Sequence, residues 1–225
     1  MAVSVEMNEA ACHYVQNTRF TFWRLGTIRC MTEVRYVLGV DEAGRGPLAG
    51  PVAVGIVCAR EDFDIFAAFP GLNDSKKLSE KKREALFSLL EEQVALGNIS
   101  YCVQLKDANE IDSRGIAVVI REAVAEGVQK LLPNPTEGKV WLDGALRAPP
   151  EYEQETVIKG DSLVPAIMLA SIAAKVTRDR LMHELHEEHP QYDFAKHKGY
   201  GTAAHLAAIR THGMCAIHRR TFIHI

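Results

Sequence analysis

The segment that constrains this chain most is residues 36–58, YVLGVDEAGRGPLAGPVAVGIVC. Two apolar, β-branched runs flank a loop that carries Gly44, Gly46 and Gly50. The pattern predicts two strands, over 35–42 and 51–59, folded back on one another. The first strand finishes in two adjacent acids, Asp41 and Glu42. Carboxylates at the end of an apolar strand, next to bare backbone, lose hydration at a cost unless something binds them.

Further along, "ISYCVQL" (99–105) predicts a third strand. Between the hairpin and that strand, 79–96 predicts a helix with Ser79 as its cap. Ala85, Leu86, Leu89, Leu90 and Val94 make its inner face, and Gly97 stops it. One helix is expected from about 107 to 131, ending before Pro133, and short strands in "KVWLDG" and "TVIKGD". The longest helical pattern covers 164–188, and a short helix covers Thr202 to Thr211 with Gly213 as its stop. Hairpin-linked strands followed by alternating strands and helices predict a mixed α/β sheet, with no repeat and no dividing linker.

Within that plan the acids share an address. Asp41 and Glu42 end the first strand, Asp143 ends "VWLD", and Asp161 ends "VIKGD". Open α/β sheets bind ligands at such strand ends. Converging carboxylates raise one another's pKa unless a cation compensates. Hard divalent cations with oxygen ligands are the natural compensation, and Mg²⁺ bridges readily to phosphates. Two such ions about 4 Å apart suit phosphodiester hydrolysis. The glycine loop then has a use, since Gly44 and Gly46 let a sugar–phosphate approach closely on either side of Arg45.

Charge distribution agrees with a polyanionic partner. The net charge is only −3, but "KKLSEKKR" (76–83) carries five bases against one acid. Residues 194–225 hold Lys196, Lys198, Arg210, Arg219, Arg220 and five histidines with no acid at all. Two basic segments beside an acidic site describe a nucleic-acid groove. The five cysteines (Cys12, Cys30, Cys58, Cys102, Cys215) are scattered, which predicts reduced thiols in a cytoplasmic protein, not a disulfide frame or zinc site. No apolar run reaches the ~18 residues of a membrane span.

The motifs resemble ribonuclease HII, the type 2 ribonuclease H family. "GVDEAGRGPLAGPVAVGIV" is similar to its opening signature. "NDSKKLS" (73–79), "WLDGAL" (141–146), "KGDSLVPAIMLASIAAKVTRDRLM" (159–182) and "HKGYGTAAHLAAIRTHGMCAIHRRTF" (197–222) follow in family order. The likeness covers roughly 35–222. It implies a ribonuclease H-like fold, a five-stranded mixed sheet flanked by helices. It also implies an endonuclease that cuts the RNA strand of RNA/DNA hybrids and cuts 5′ of ribonucleotides embedded in duplex DNA. Such an enzyme uses Mg²⁺ or Mn²⁺ in a two-metal-ion mechanism, as a monomer. Asp41, Glu42, Asp143 and Asp161 take the place of the family's catalytic metal ligands. Gly44, Arg45 and Gly46 form the loop that reads the ribose 2′-OH, Tyr200 packs on the sugar just past the ribonucleotide, and Lys76 and Lys77 approach phosphates. Ala145 departs from the Asn that bacterial members commonly carry after Asp-Gly, and no extra C-terminal helical domain is expected after "HRRTF".

Residues 1–30 stand outside the likeness. They have no clear period and no secretory h-region, while Arg19, Arg24 and Arg29 leave organelle targeting open. Met31 opens directly into the first motif, so 31–225 is expected to be the catalytic domain and 1–30 an extension of unknown role. Rival readings fit less well. Gly44-x-Gly46-x-x-Ala49 matches a loose dinucleotide fingerprint, but a strand, not a helix, is predicted to follow it. His183, His186 and His189 miss the H-E-x-x-H zinc spacing, because Glu187 stands four residues after His183. A binding protein without activity would have no use for four acids in the phosphate path.

Overall fold

A computed structural model describes residues 35–224. The expectations for 1–30 and for Met31 lie outside the described residues. Strands β1 (Tyr36–Ala43), β2 (Val52–Arg60), β3 (Ile99–Lys106), β4 (Gly138–Asp143) and β5 (Glu153–Val157) form one sheet in the order β3-β2-β1-β4-β5. β1 to β3 are antiparallel neighbours, while β4 and β5 run parallel to β1. The parallel pairing decides where the site lies. It brings the C-terminal ends of β1 and β4 to one edge, with Val40 opposite Leu142, so Asp41 and Asp143 follow side by side.

Helices cover both faces. On one side lie α1 (Ile65–Ala68), α2 (Glu80–Ala95) and α5 (Pro165–Glu188). On the other lies α4 (Ile116–Leu131), preceded by α3 (Ala108–Arg114). α5 sits on the sheet with almost no gap. A Cβ on Gly39 would lie 2.0 Å from the Ala166 carbonyl carbon, and one on Gly55 would lie 2.2 Å from the Ala170 carbonyl oxygen. Only glycine on the strand and alanine on the helix allow this approach, which carries Ser171 to the acidic edge. A third, smaller cluster of Ala49, Met182, Tyr192, Phe194 and Ile209 fixes the C-terminal part, including α6 (Phe194–His197) and α7 (Ala203–His212), against the glycine loop. No helix among the described residues is long and apolar enough to cross a membrane.

Three expectations need correction. The single helix over 107–131 is two: Gly115, at φ +84°, donates to the Ile111 carbonyl at 2.8 Å and closes α3. The inner face of α2 uses Phe87 where Ala85 was expected, and Ala85 is exposed. β5 ends at Val157, four residues short of Asp161. Lys159 takes a left-handed conformation (φ +58°) that no strand can continue, and Asp161 lies in the 3₁₀ turn Gly160–Ser162.

Candidate active site

Three acids converge at the shared edge. Asp41 comes from β1, Asp143 from the last position of β4, and Asp161 from the 3₁₀ turn that leads into α5. One carboxylate oxygen of each lies within 4.8 Å of the others. Asp161 reaches the group although it is not at a strand end, because its backbone N–H donates to Asp143 Oδ1 at 3.3 Å. Gly160 is buried beside it, and a Cβ there would lie 2.6 Å from Ile167 Cδ1 and 3.4 Å from Asp143 Oδ1.

Glu42 is not part of this close group. Successive strand residues face opposite sides, so Glu42 flanks the cluster and pairs with Arg45 Nη1 at 3.2 Å. Burial raises its pKa, Arg45 counters that rise, and Asp143 adds to it.

Electrostatics show how the acids are charged. Asp41 is 5% exposed. Burial, with Glu42 and Asp143 close by, pushes its carboxyl up to about 8, against a hydrogen bond from Ser171 that favours the anion. Ser75 Oγ lies 2.8 Å from Ser171 Oγ, and Ser171 bonds Asp41 in turn, so the two hydroxyls orient the carboxylate. Lys76 Nζ donates to Asp161 Oδ2 at 2.7 Å, though its side chain is 78% exposed. Asp74 holds the segment that delivers it: its carboxylate accepts from the Lys76 backbone N–H at 2.9 Å and from Ser162 Oγ at 3.1 Å. Lys77 does not reach the three acids and lies 4.0 Å from Asp74. An all-oxygen donor set on fixed backbone, with a carboxyl whose charge is not compensated, fits a hard divalent cation.

The glycine loop adjoins this edge. Gly44 is at φ +85°, while Arg45 and Gly46 are exposed. The C-terminal part straps onto it. Leu48 N–H donates to the Gly199 carbonyl at 2.8 Å, Gly50 N–H to the Ile217 carbonyl at 2.9 Å, and Ala49 pairs with His218 in an isolated bridge. Tyr200, 46% exposed, therefore sits on the same platform as the loop. The turn depends on Gly199, whose Cβ would lie 2.3 Å from the Ala49 carbonyl oxygen. Ala145 is exposed next to Asp143 and leaves the acid cluster intact.

Asp74, Ser75 and Ser171 escaped the sequence reading. Ser171 left one visible trace, as a lone hydroxyl in the apolar run 166–174.

The family model described as Ribonuclease HII matches residues 38–225. A ribonuclease HII of Geobacillus thermodenitrificans is 47% identical over 190 residues, covering 84% of this chain and 69% of that protein. One from Burkholderia lata is 47% identical over 186 residues, covering 83% and 82%. Among solved structures, the ribonuclease H2 of Pyrococcus horikoshii matches with a TM-score of 0.66 at 28% identity, over 83% of this chain and 93% of that one.

Proposed function

The chain belongs to the ribonuclease HII family, and we propose from that premise that it hydrolyses the RNA strand of RNA/DNA hybrids. We propose further that it cuts on the 5′ side of single ribonucleotides in duplex DNA, leaving a 3′-hydroxyl and a 5′-phosphate. The observation that carries this reading is the convergence of Asp41, Asp143 and Asp161, with ligand atoms within 4.8 Å of one another, on the sheet edge beside an exposed glycine loop.

In this reading Asp41, Asp143 and Asp161, with Glu42 at the flank, hold two Mg²⁺ or Mn²⁺ ions. When bound, these supply positive charge to the attacking water and to the leaving 3′-oxygen. The protein's own residues do the rest. The Ser75–Ser171 pair keeps Asp41 aimed at the site. Lys76, exposed along its side chain, exchanges Asp161 for a substrate phosphate, and Lys77 meets the backbone farther out. The Gly44-Arg45-Gly46 backbone meets the ribose 2′-hydroxyl, the group that separates RNA from DNA. Tyr200 packs on the following sugar. One copy carries all these groups, which suits a monomer. The free thiols Cys58, Cys102 and Cys215 suit a reducing cytoplasm. The catalytic unit in this proposal is 31–225, with 1–30 as an extension.

The test is a duplex with one ribonucleotide, incubated with the protein in Mg²⁺, in Mn²⁺ and in EDTA. Cleavage 5′ of the ribonucleotide is expected with either ion and none in EDTA. Cleavage that survives EDTA, or equal cleavage of an all-DNA duplex, overturns the proposal.

A further inference from the structure

Two arginines hold the glycine loop from inside, and the catalytic reading uses neither. Arg178, on α5, is 1% exposed, and Arg219, in the C-terminal strap, is 0% exposed. Burying a guanidinium is costly unless its N–H groups are occupied. Among the described residues neither arginine forms an ion pair; every Arg219 nitrogen and the Nε and Nη2 of Arg178 donate to backbone carbonyls of the loop, while Arg178 Nη1 is buried without a partner. Arg219 donates through Nη2 to Gly44 at 2.7 Å, through Nη1 to Arg45 at 3.1 Å and through Nε to Gly50 at 2.9 Å. Arg178 donates through Nε to Pro51 at 2.8 Å and through Nη2 to Ala49 at 3.2 Å. The Arg219 backbone N–H takes the Leu48 carbonyl at 2.8 Å.

This arrangement has a directional consequence. In a trans peptide the N–H points opposite to the C=O. The Gly44 and Arg45 carbonyls are drawn inward onto one guanidinium. The N–H groups of the same two peptides, on Arg45 and Gly46, therefore face outward. Both residues are exposed, and among the described residues neither N–H has a partner. A cation on the carbonyl also polarises the amide and strengthens its N–H as a donor. Gly44 is part of the same device: a Cβ there would lie 2.0 Å from Arg178 Nε.

We propose that Arg219, backed by Arg178, is a positioning residue that presents the Arg45 and Gly46 amides as a paired donor for the ribose 2′-hydroxyl. Ribose preference is then set by the C-terminal strap as well as by the loop. This inference rests on the reading that the loop meets the ribose. Lysine cannot substitute, because a single ammonium has no planar fork to span two successive carbonyls.

Binding is measured in Ca²⁺ for a duplex with one ribonucleotide and for the same sequence entirely in DNA. Arg219→Lys should lower the ratio of the two affinities about tenfold, the worth of roughly one hydrogen bond, through the ribonucleotide duplex alone. In Mg²⁺ its KM should rise, with kcat within about threefold of the unaltered protein. A merely structural role would weaken both duplexes together and lower kcat. Gly46→Ala tests the premise separately, since its Cβ meets nothing within 4 Å in the protein and its backbone is not left-handed. If Gly46→Ala keeps the full ratio, the loop does not meet the ribose and the premise falls. If Gly46→Ala loses the ratio and a folded Arg219→Lys keeps it, the clamp is wrong and the premise stands. Should Arg219→Lys not fold, the amide protons of Arg45 and Gly46 in the unaltered protein decide. Both must move downfield with the ribonucleotide duplex and not with DNA, and equal shifts with the two duplexes overturn the clamp.

Discussion

The acid cluster and the C-terminal strap lie on either side of the glycine loop and handle buried charge in opposite ways. At the cluster, Asp41, Asp143 and Asp161 bring like charges together, and a lysine that is mostly in solvent meets only one of them. In the strap, buried groups are satisfied from within. Arg219 is spent on carbonyls, and His205 and His218, 0% and 1% exposed, face each other through Nε2 atoms at 3.1 Å. Tyr192 and Phe194 pack around those two rings. In the proposed reading, a cation completes the first region. The second is complete already and serves as a rigid support. Both regions bury ionisable groups, and the difference is the sign of their neighbours: the acids converge on one another, whereas Arg219 is met by carbonyls.

The sharpest way to break this contrast is to remove charge from the cluster. Asp143→Asn keeps the shape and removes a ligand, and Asp41→Asn also removes the group that burial penalises most. Either change should reduce cleavage by roughly 10²–10³-fold or more. The metal-free protein should not be destabilised, and for Asp41→Asn its melting temperature should rise. Near-normal turnover by Asp143→Asn would remove the cluster from the chemistry.

A second test uses pH, because the two regions respond with opposite sign. Asp41 binds its proton more tightly folded (about 8) than unfolded (3.8). Its contribution to stability is therefore full below pH 4 and lost as pH rises through 8. His218 is pushed down to about 4 from 6.5 by burial and by His205, and His205 is itself lowered by burial. Their contribution is present above pH 6.5 and lost as pH falls toward 4. In EDTA the opposing slopes offset each other between pH 4 and 6.5. Above that the Asp41 slope remains, about 2 kcal/mol lost by pH 8 at ~1.4 kcal/mol per pH unit, with Glu42, also raised by burial, acting in the same sense. Saturating Mg²⁺ holds Asp41 ionised and should flatten the upper limb, and Asp41→Asn should flatten it in EDTA. Melting curves from pH 4 to 9 read all of this. An upper limb unchanged by both treatments would show that Asp41 carries no uncompensated charge.

How much of the two regions the sequence disclosed follows the same division. Strand positions and the residues that end them are local, so Asp41, Glu42 and Asp143 could be placed from the apolar runs alone. Asp161 joins the cluster as expected from the sequence but was assigned to a strand, because nothing in "VIKGD" reveals that Lys159 adopts a left-handed backbone. The break at Gly115 was missed for the same reason, since helical spacing continues across it. The strap's helix and Tyr200 were legible, but its charges were read only as a basic, acid-free tail making solvent-facing phosphate contacts. Arg219 proved to be buried, because the carbonyls that make its burial tolerable lie 169 to 175 residues away in sequence. Arg178 and Ser171 were hidden likewise inside a motif recognised for its helix.

The smallest expected effect tests whether the strap does more than support. Tyr200 follows Lys198 and Gly199, both at positive φ, and its backbone N–H donates to the His197 carbonyl at 2.9 Å. The ring is nearly half exposed, so its removal leaves no cavity in the core. Tyr200→Phe keeps the surface that packs on a sugar and should change cleavage of a single-ribonucleotide duplex by no more than about twofold. Tyr200→Ala removes a contact worth roughly 1–3 kcal/mol in comparable aromatic packing. It should lower cleavage of the single-ribonucleotide duplex about tenfold or more. Long hybrids should suffer less, because every register of a hybrid offers a cleavable ribonucleotide and the ring has no unique junction to mark. The ratio of the two activities is therefore the quantity to measure. If Tyr200→Ala lowers both equally, the ring adds only general affinity and the strap is a support alone. If the ratio falls while the Mn²⁺ titration of the acids is unchanged, the strap reads substrate independently of the metal-holding edge.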